Sequence, residues 1–598
     1  MITTNPNDNR KAWYARESDA YKHAFEAGIR CIKDGDRRSR YRAMRTLAHP
    51  GLESPSEHRI IANGIDSVVA KVGKSEVMPV ARATGIRRSR QERAKRLSHW
   101  LRGQIMALGV HRKARFALRD AATYGTGILH PHRGLDDKPR VDRVWVGDVG
   151  VEPNEEEYGD VRTLYRAMTI DRAVVAKRWP SKAADIDKAS FTFAAENRKR
   201  QVVGDPITVI ECWRLTTGSI VGRHIICTSK CALVDEEWDS QTFPLKFLNW
   251  VDDTERFFGV GLAESMAGEQ RMLDRITEKI EESFNQGGPK ILADTASNFT
   301  SAKMTNAPYE VLTYTSMGGG QPPQWISPPA ISSDYRMHQE TLIQRTYEDH
   351  GISQLSASSR KPPGLNAAVA METYNDIESE RFYWQTKDYE SLMVQVGEGL
   401  IAVAEDIAND KSLSDKSKAD VLCSTRSEVR MIRYDDARMP NDQRSLEVEP
   451  VSQFSATLSG RIQQADTLRK LGIIKNEKQA MEMIDDPNLN KFRSLEQSAR
   501  YLVEVQVERC LAGKRQTPDA TMDLDYALEH ATQQLHHAML EQGDEDEPDE
   551  ELDEGIEVLR GYLADVETLM DELQADQAPA PMPGAVAAMP PMAAPPAM

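Results

Sequence analysis

Apolar residues recur at spacings of three, four and seven through the middle of the chain, at Leu262, Met266, Leu273, Ile276, Ile280 and Phe284. Charge fills most of the positions between them, so the pattern predicts one amphipathic helix from Gly261 to Gln286. Such a helix is roughly 36–39 Å long at 1.5 Å per residue. A stripe that narrow buries little alone and needs neighbouring helices. Gly287-Gly288-Pro289 stops the helix. Lys290 to Ile331 then reads as short strands and turns, best at Tyr309 to Tyr314, with a Gly/Pro turn at 317–323. Ser332 or Ser333 caps a second helix that ends near His350-Gly351. Ile352 to Leu365 is a polar loop, and a third helix runs from near Asn366 past Trp384 to Ile407, long enough to predict a kink or break.

Upstream, residues 1–120 read as mostly helical and Arg-rich. Helices are predicted over His58 to Lys71, Ser89 to Gly103 and Arg112 to Tyr124, the last stopped by Gly125 and Gly127. The period then shifts toward two, and strands are predicted at 141–146, 149–151, 207–213, 223–227 and 232–234, interrupted by a helix from Arg172 to Ile186. Thr457 to Gln542 is helical again. An acidic run from Gly543 to Glu554 precedes an amphipathic stretch, Ile556 to Gln574, and a Pro/Ala/Met-rich end expected to be disordered. The fold class is therefore α+β and mostly helical.

Composition changes this picture in one respect. The net charge of -16 hides a basic first 120 residues, with 26 Lys+Arg against 12 Asp+Glu, and an acidic remainder. Opposite charge at the two ends suggests two electrostatic partners. No run of eighteen apolar residues is present, so no membrane span is expected, and the polar first ten residues lack a signal core. Six cysteines in 598 residues do not make a disulfide framework, so the protein is expected to be made and kept in a reducing cytoplasm.

Catalytic patterns fail on inspection. Gly73-Lys74-Ser75 lacks the upstream glycine of a phosphate loop, since Val68 stands there. Gly259-Val260-Gly261 lacks the third glycine of a dinucleotide site, and Gly125-Thr126-Gly127 ends a helix instead of opening one. His224, Cys227 and Cys231 have ligand-like spacing but no second cysteine pair; on a strand the two cysteines would share a face as core residues do. Asp252-Asp253 and Asp349-His350 read as solvated turn residues. Neither a metal nor a cofactor is expected. The dense Arg37, Arg38, Arg40, Arg42 and Arg45, and then Arg87, Arg88, Arg90, Arg93, Lys95 and Arg96, are candidates for contacts to phosphate or to a capsid. Solvated helix faces and ion pairs to the acidic remainder are the alternative.

Taken in order, four passages resemble the bacteriophage portal proteins, the head–tail connector family: FALRDAATYGTGILH (116–130), VWVGDVGVEP (144–153), the long segment 257–294, and GISQLSASSRKPPGLNAAVAMETYNDIE (351–378). The resemblance covers about residues 58–410 and lies in order and spacing more than in any one passage. It implies a wing at 1–256, a first stem helix at 257–288, a clip at 289–332 and a second stem helix at 333–351. A tunnel loop follows at 352–365, with Ser358, Ser359, Arg360 and Lys361 facing DNA. A long kinked helix then returns to the wing at 366–455, a helical crown lies at 456–542, and an acidic, partly disordered tail at 543–598. It further implies a homo-oligomeric ring, a dodecamer in the virion, at one capsid vertex, assembled in the host cytoplasm. Double-stranded DNA would pass through it during packaging and ejection. Its partners would be major capsid protein, terminase and tail or adaptor proteins, and it would not be an enzyme. In that arrangement adjacent subunits are expected to bury the stem stripe. A second reading is a nucleic-acid-binding protein that forms no ring and uses the basic N-terminal region.

Overall fold

In the computed structural model of the chain, the described residues are 20–33, 35–48, 58–74, 76–84, 88–134, 136–157, 161–189, 204–217, 221–286, 290–292, 324–326, 333–352, 380–410, 419–424, 429–448, 466, 468–470, 494–543 and 550–577. They divide into two compact units. The first comprises 1–80, 97–438 and 446–451, and the second 81–96, 439–445 and 452–598. The fold is α+β and mostly helical.

The first unit is built on two antiparallel sheets. Strands β1 (Thr126–Arg133), β2 (Pro139–Val144) and β8 (Lys246–Asn249) form one in the order β2-β1-β8. The other is a meander of β3 (Val149–Val151), β4 (Thr163–Asp171), β5 (Pro206–Arg214), β6 (Gly222–Cys227) and β7 (Ala232–Trp238). Strand β5 is central and covered on both faces, which is why its sequence is an almost unbroken apolar run instead of an alternation. Ile210 and Cys212 point to helix α1 (Ala20–Ile32), whose Ala24, Phe25 and Ile32 fill that side. Ile207 and Val209 point the other way, to Val175, Ile186 and Leu233.

Helices α2 (Gly35–Ala48), α3 (Ile60–Val72), α4 (Arg88–Ala107) and α5 (Val110–Tyr124) follow the basic N-terminal pattern. Helix α5 packs on β1, and Asp120 on it accepts both prongs of the Arg143 guanidinium from β2. The chain reverses from α5 into β1 at Gly125, whose φ of +97° suits glycine. A side chain at Gly127 is excluded by contact: a Cβ there would lie 1.9 Å from the Ala117 carbonyl oxygen. The helix-ending glycine pair is thus a backbone seam, and a nucleotide cradle is not what it builds.

Some expectations need correction. The helix predicted over 172–186 is two short pieces, Arg172–Arg178 and Ala183–Ile186, because Pro180 cannot continue the ladder and starts a separate 3-10 turn. Strand β4 has no matching prediction in the sequence; both its faces are covered, Tyr165 and Ala167 on one side and Met168 and Ile170 on the other, so apolar and polar positions do not alternate, and Arg166 and Thr169 interrupt the apolar run. Cys227 and Cys231 do not share a strand face. A tight turn lies between them, closed by the Thr228 N–H donating to the Cys231 carbonyl at 2.9 Å, and they enter different core clusters on opposite sides of the sheet.

In the second unit, helices Ser494–Leu511, Leu524–Gly543 and Glu550–Gln577 form a three-helix cluster. Val503, Val507, Ala527, Ala531, Leu559, Tyr562 and Val566 make its core. The stretch predicted as an amphipathic helix near the acidic run is therefore longer than expected and belongs to this bundle. The predicted tail beyond 577, the expected strand at Tyr309 to Tyr314 and most of 457–493 lie outside the described residues.

Glycine chemistry separates two outcomes. Gly127→Ala drives a Cβ into backbone and is expected to cost about 2–5 kcal/mol, by analogy with severe core overpacking and backbone strain. Gly561→Ala sits mid-helix with nothing within 4 Å of the new carbon and is expected to raise bundle stability by about 0.5–1 kcal/mol. Denaturant midpoints of the two variants against the parent check both signs.

Candidate functional site

The helix predicted over 261–286 is broken. A short turn, α6 (Leu262–Ser265), and α7 (Ala267–Gln286) flank Met266, whose ψ of 1° departs from the helical value. The entry to α6 is held by the glycine seam. The Gly259 N–H donates to Thr126 Oγ1 at 3.0 Å, the Trp250 N–H to the Gly125 carbonyl at 2.9 Å, and a Cβ on Gly261 would lie 2.8 Å from the Gly125 nitrogen. The two passages GTG and GVG, distant in sequence, therefore meet at the start of the hairpin.

Helix α7 and helix α8 (Ser333–Asp349) pack together. Between them, β9 (Lys290–Leu292) and β10 (Gln324–Ile326) pair antiparallel, with Lys290 opposite Ile326. The Gln339 side-chain amide donates to Thr277 Oγ1 at 3.1 Å. Thr277 lies thirteen residues before Lys290, and Gln339 thirteen after Ile326. This is an antiparallel helical hairpin continued by a two-stranded ladder.

Its root is firmly anchored. Gln270, nearly fully buried, donates to the His58 carbonyl at 2.9 Å and to Asp274 at 2.8 Å, and its Oε1 sits 3.5 Å from the Ile61 N–H. Helix α3 has no side-chain cap of its own from Arg59, so Gln270 supplies a weak one from another helix. Leu262, Met266, Leu273 and Ile276 are buried within the single chain, as are Thr346 and Tyr347 of α8. The expectation that neighbouring subunits bury the whole stripe is thus corrected for those four residues: α3, α5 and α8 already cover the root. Ile280 is half-buried, and the Phe284 side chain lies outside the described residues.

Beyond Thr277 the surroundings change. Glu278, Lys279, Glu281, Glu282 and Ser283 are exposed, and so are Asp334 to His338 on the facing helix. Apolar side chains there stand in solvent: Met337 is 65% exposed and Leu292 63%. At the start of the long helix α9 (Tyr383–Asn409), Trp384 is 72% exposed with Tyr383 against its edge. Phe382, which precedes α9, is not helical; the expected start of the third helix near Asn366 lies outside the described residues. Single exposed apolar residues are ordinary, but several large ones, Met337, Leu292 and Trp384, left bare among the described residues mark a surface with something to cover it.

The other predicted residues fall in three groups. Ser358, Ser359, Arg360 and Lys361 lie outside the described residues, as do Arg87 and the Arg88 side chain. Arg93, Lys95 and Arg96 are exposed, Arg96 within 3.6 Å of Glu92, while Arg90 is half-buried and reaches the Thr84 carbonyl at 3.4 Å. Arg37 and Arg38 are turned inward: Arg37 donates to the Val149 carbonyl at 2.8 Å and Arg38 to the Ile32 and Gly147 carbonyls at 3.1 Å. His350 folds back on the Thr346 carbonyl at 2.8 Å, and Asp253 pairs with Arg256 at 2.6 Å, both local turn roles.

His224 belongs to a polar network, buried at His224, Glu211 and His130 and open to solvent at Glu236, that spacing did not disclose. Its Nδ1 meets Glu236 at 2.6 Å and its Nε2 meets Glu211 at 3.2 Å, with the Trp213 ring stacked on it. Arg166 links Glu211 to His130, donating to His130 Nδ1 at 2.7 Å. Burial opposes a charge on His224, but the two glutamates outweigh it and hold the ring protonated up to about 9. Burial, aided by Arg166, pushes His130 well below its ordinary range and keeps it neutral. Among the described residues no group of three or more His, Cys, Asp or Glu is arranged to hold a metal, and no helix is long and apolar enough to cross a membrane.

No family model matches the sequence. A search of curated proteins likewise finds no match. Among solved structures, the chain is similar to one chain of "Virion of native gene transfer agent (GTA) particle", with 9% identity, covering 74% of this chain and 92% of that one, at a TM-score of 0.37. A likeness that loose assigns neither a family nor a function.

The network sets a pH dependence. The folded pKa of His224, about 9, lies above the roughly 6.5 of an unfolded histidine. Its contribution to stability is therefore complete below about pH 6.5 and is lost as pH rises through about 9. Urea midpoints of the parent are expected to fall over that window, and His224→Gln is expected to flatten the fall; an unchanged slope in the variant contradicts the assignment.

Proposed function

We propose that this chain is the subunit of a portal-type ring, a non-enzymatic conduit for double-stranded DNA at a capsid vertex. The observation that carries the reading is the hairpin, held at its root by its own chain and bare along its outer half. A helical pair with Met337 in solvent, Leu292 exposed on the strand beyond it and Trp384 exposed at the start of α9 is poorly suited to a lone subunit and well suited to packing beside copies of itself. Because α3, α5 and α8 already bury the root, the intersubunit contact in this reading uses the outer half of α7 and α8 and the start of α9.

The remaining roles follow from the same reading. The hairpin tip would be the clip, met by terminase during packaging and by tail or adaptor proteins later. Arg360 and Lys361 would stand on a loop toward the channel. ATP hydrolysis would belong to the separate terminase. The two sheets would serve as the wing, toward the major capsid protein. An acidic remainder suits a channel through which DNA slides, since like charge keeps phosphates from sticking.

Negative-stain micrographs of the purified full-length protein are expected to show rings with a central hole, and Trp384→Asp is expected to shift the population toward single subunits without loss of helical signal. A monomeric parent at all concentrations, with salt-dependent binding of nucleic acid, would instead favour the reading without a ring.

A further inference from the structure

A cavity of about 480 Å³ lies in the first unit, beside the entry to the hairpin. Four guanidinium groups line it, from Arg30, Arg37, Arg40 and Arg256, against two carboxylates, Asp36 and Glu156. The hydrogen bonds within it leave donors over. Arg37 spends one nitrogen on the carbonyls of Val149 (2.8 Å) and Cys31 (3.3 Å), with its plane 4.9 Å over the Phe258 ring. Glu156 accepts the Phe257 N–H at 3.1 Å. Arg256 binds Asp253 through Nε at 2.6 Å. One further carboxylate, Glu264, faces both Arg40 and Arg256, at 3.9 and 3.8 Å, beyond hydrogen-bond reach of either. Arg40 Nε and Arg256 Nη1 are buried and have no acceptor.

Buried donors without acceptors are costly, and guanidinium forks are matched by the oxygens of a tetrahedral oxyanion. Asp36 and Glu156 in the lining, with Asp253 and Glu264 close behind, balance the four guanidiniums in number, so it is the acceptor-less Arg40 Nε and Arg256 Nη1 that call for an oxyanion. The space far exceeds a lone phosphate, and Val151, Pro153 and Phe258 give it apolar walls. We propose that this cavity binds a phosphate monoester carried on a small organic body of nucleotide size. Arg40 and Arg256 grip the phosphate, Arg30 stands at the exposed rim, and Phe258 packs against the body. The monoester is either a free small molecule or the terminal phosphate of a nucleic-acid strand.

Calorimetry on the full-length protein separates these sources. Adenosine 5′-monophosphate is expected to bind saturably and adenosine not to bind. A 5′-phosphorylated single-stranded oligonucleotide that binds more tightly than both its 5′-hydroxyl counterpart and the mononucleotide identifies a strand end; a mononucleotide that binds as well or better identifies a free molecule. Arg40→Met and Arg256→Met are each expected to weaken binding by roughly tenfold or more, the scale of a lost charged hydrogen bond. Arg30→Gln, at an exposed position, tests the same charge without disturbing packing and is expected to weaken binding severalfold. Absence of saturable binding by any phosphate compound, equal binding of adenosine and its monophosphate, or parental affinity in all three variants overturns the proposal.

Discussion

The backbone of Gly259 and Gly261 lies so close to that of Gly125 that no Cβ fits between them, and everything distinctive about the chain departs from that seam. It joins the end of α5, the start of β1 and the start of the hairpin into one rigid corner. Gln270 then ties α7 to the first turn of α3 a few residues later. Two anchors close together fix the direction in which the hairpin leaves the body, and nothing comparable among the described residues holds its outer half. The hairpin is thus anchored at its root.

This anchoring reassigns the energetics that the stripe suggested. Leu262, Met266, Leu273 and Ile276 are worth about 1.5–3 kcal/mol each when fully buried, and they stabilise the subunit itself. Association, in the proposed ring, would draw on a different and smaller set of side chains, with Tyr335, Met337 and Trp384 prominent and exposed in the single chain. A subunit that folds alone and associates through a modest apolar surface can be made first and assembled afterwards, which suits a heterologous interface that must close on itself.

Much of the architecture was legible in the sequence because periodicity reports burial. The helices at 60–72, 88–107, 110–124 and 333–349, and the strands at 206–214 and 222–227, stood within a few residues of their predicted places. The break at Met266 was not, since an apolar residue at a helical spacing looks the same whether its backbone is helical or turned. Nor could spacing say which partner buries a stripe; that required seeing α3 and α8 against it. The His224 network was hidden because Glu211 and Glu236 lie thirteen and twelve residues away and meet the ring only through strand register. The Arg-lined cavity joins Arg30 to Arg40 with Arg256, more than two hundred residues on. Density of arginine was visible, its inward aim was not.

Hydrogen exchange read by mass spectrometry over 278–286 and 333–343 tests the central claim, that the hairpin is self-supported at its root and covered by copies of itself beyond it. In dilute, dissociated protein these amides are expected to exchange fast while those of 267–277 stay protected; at assembly concentrations the outer segments are expected to slow as well. Equal protection of root and outer half in the dissociated chain, or fast exchange of the outer half at every concentration, would contradict it.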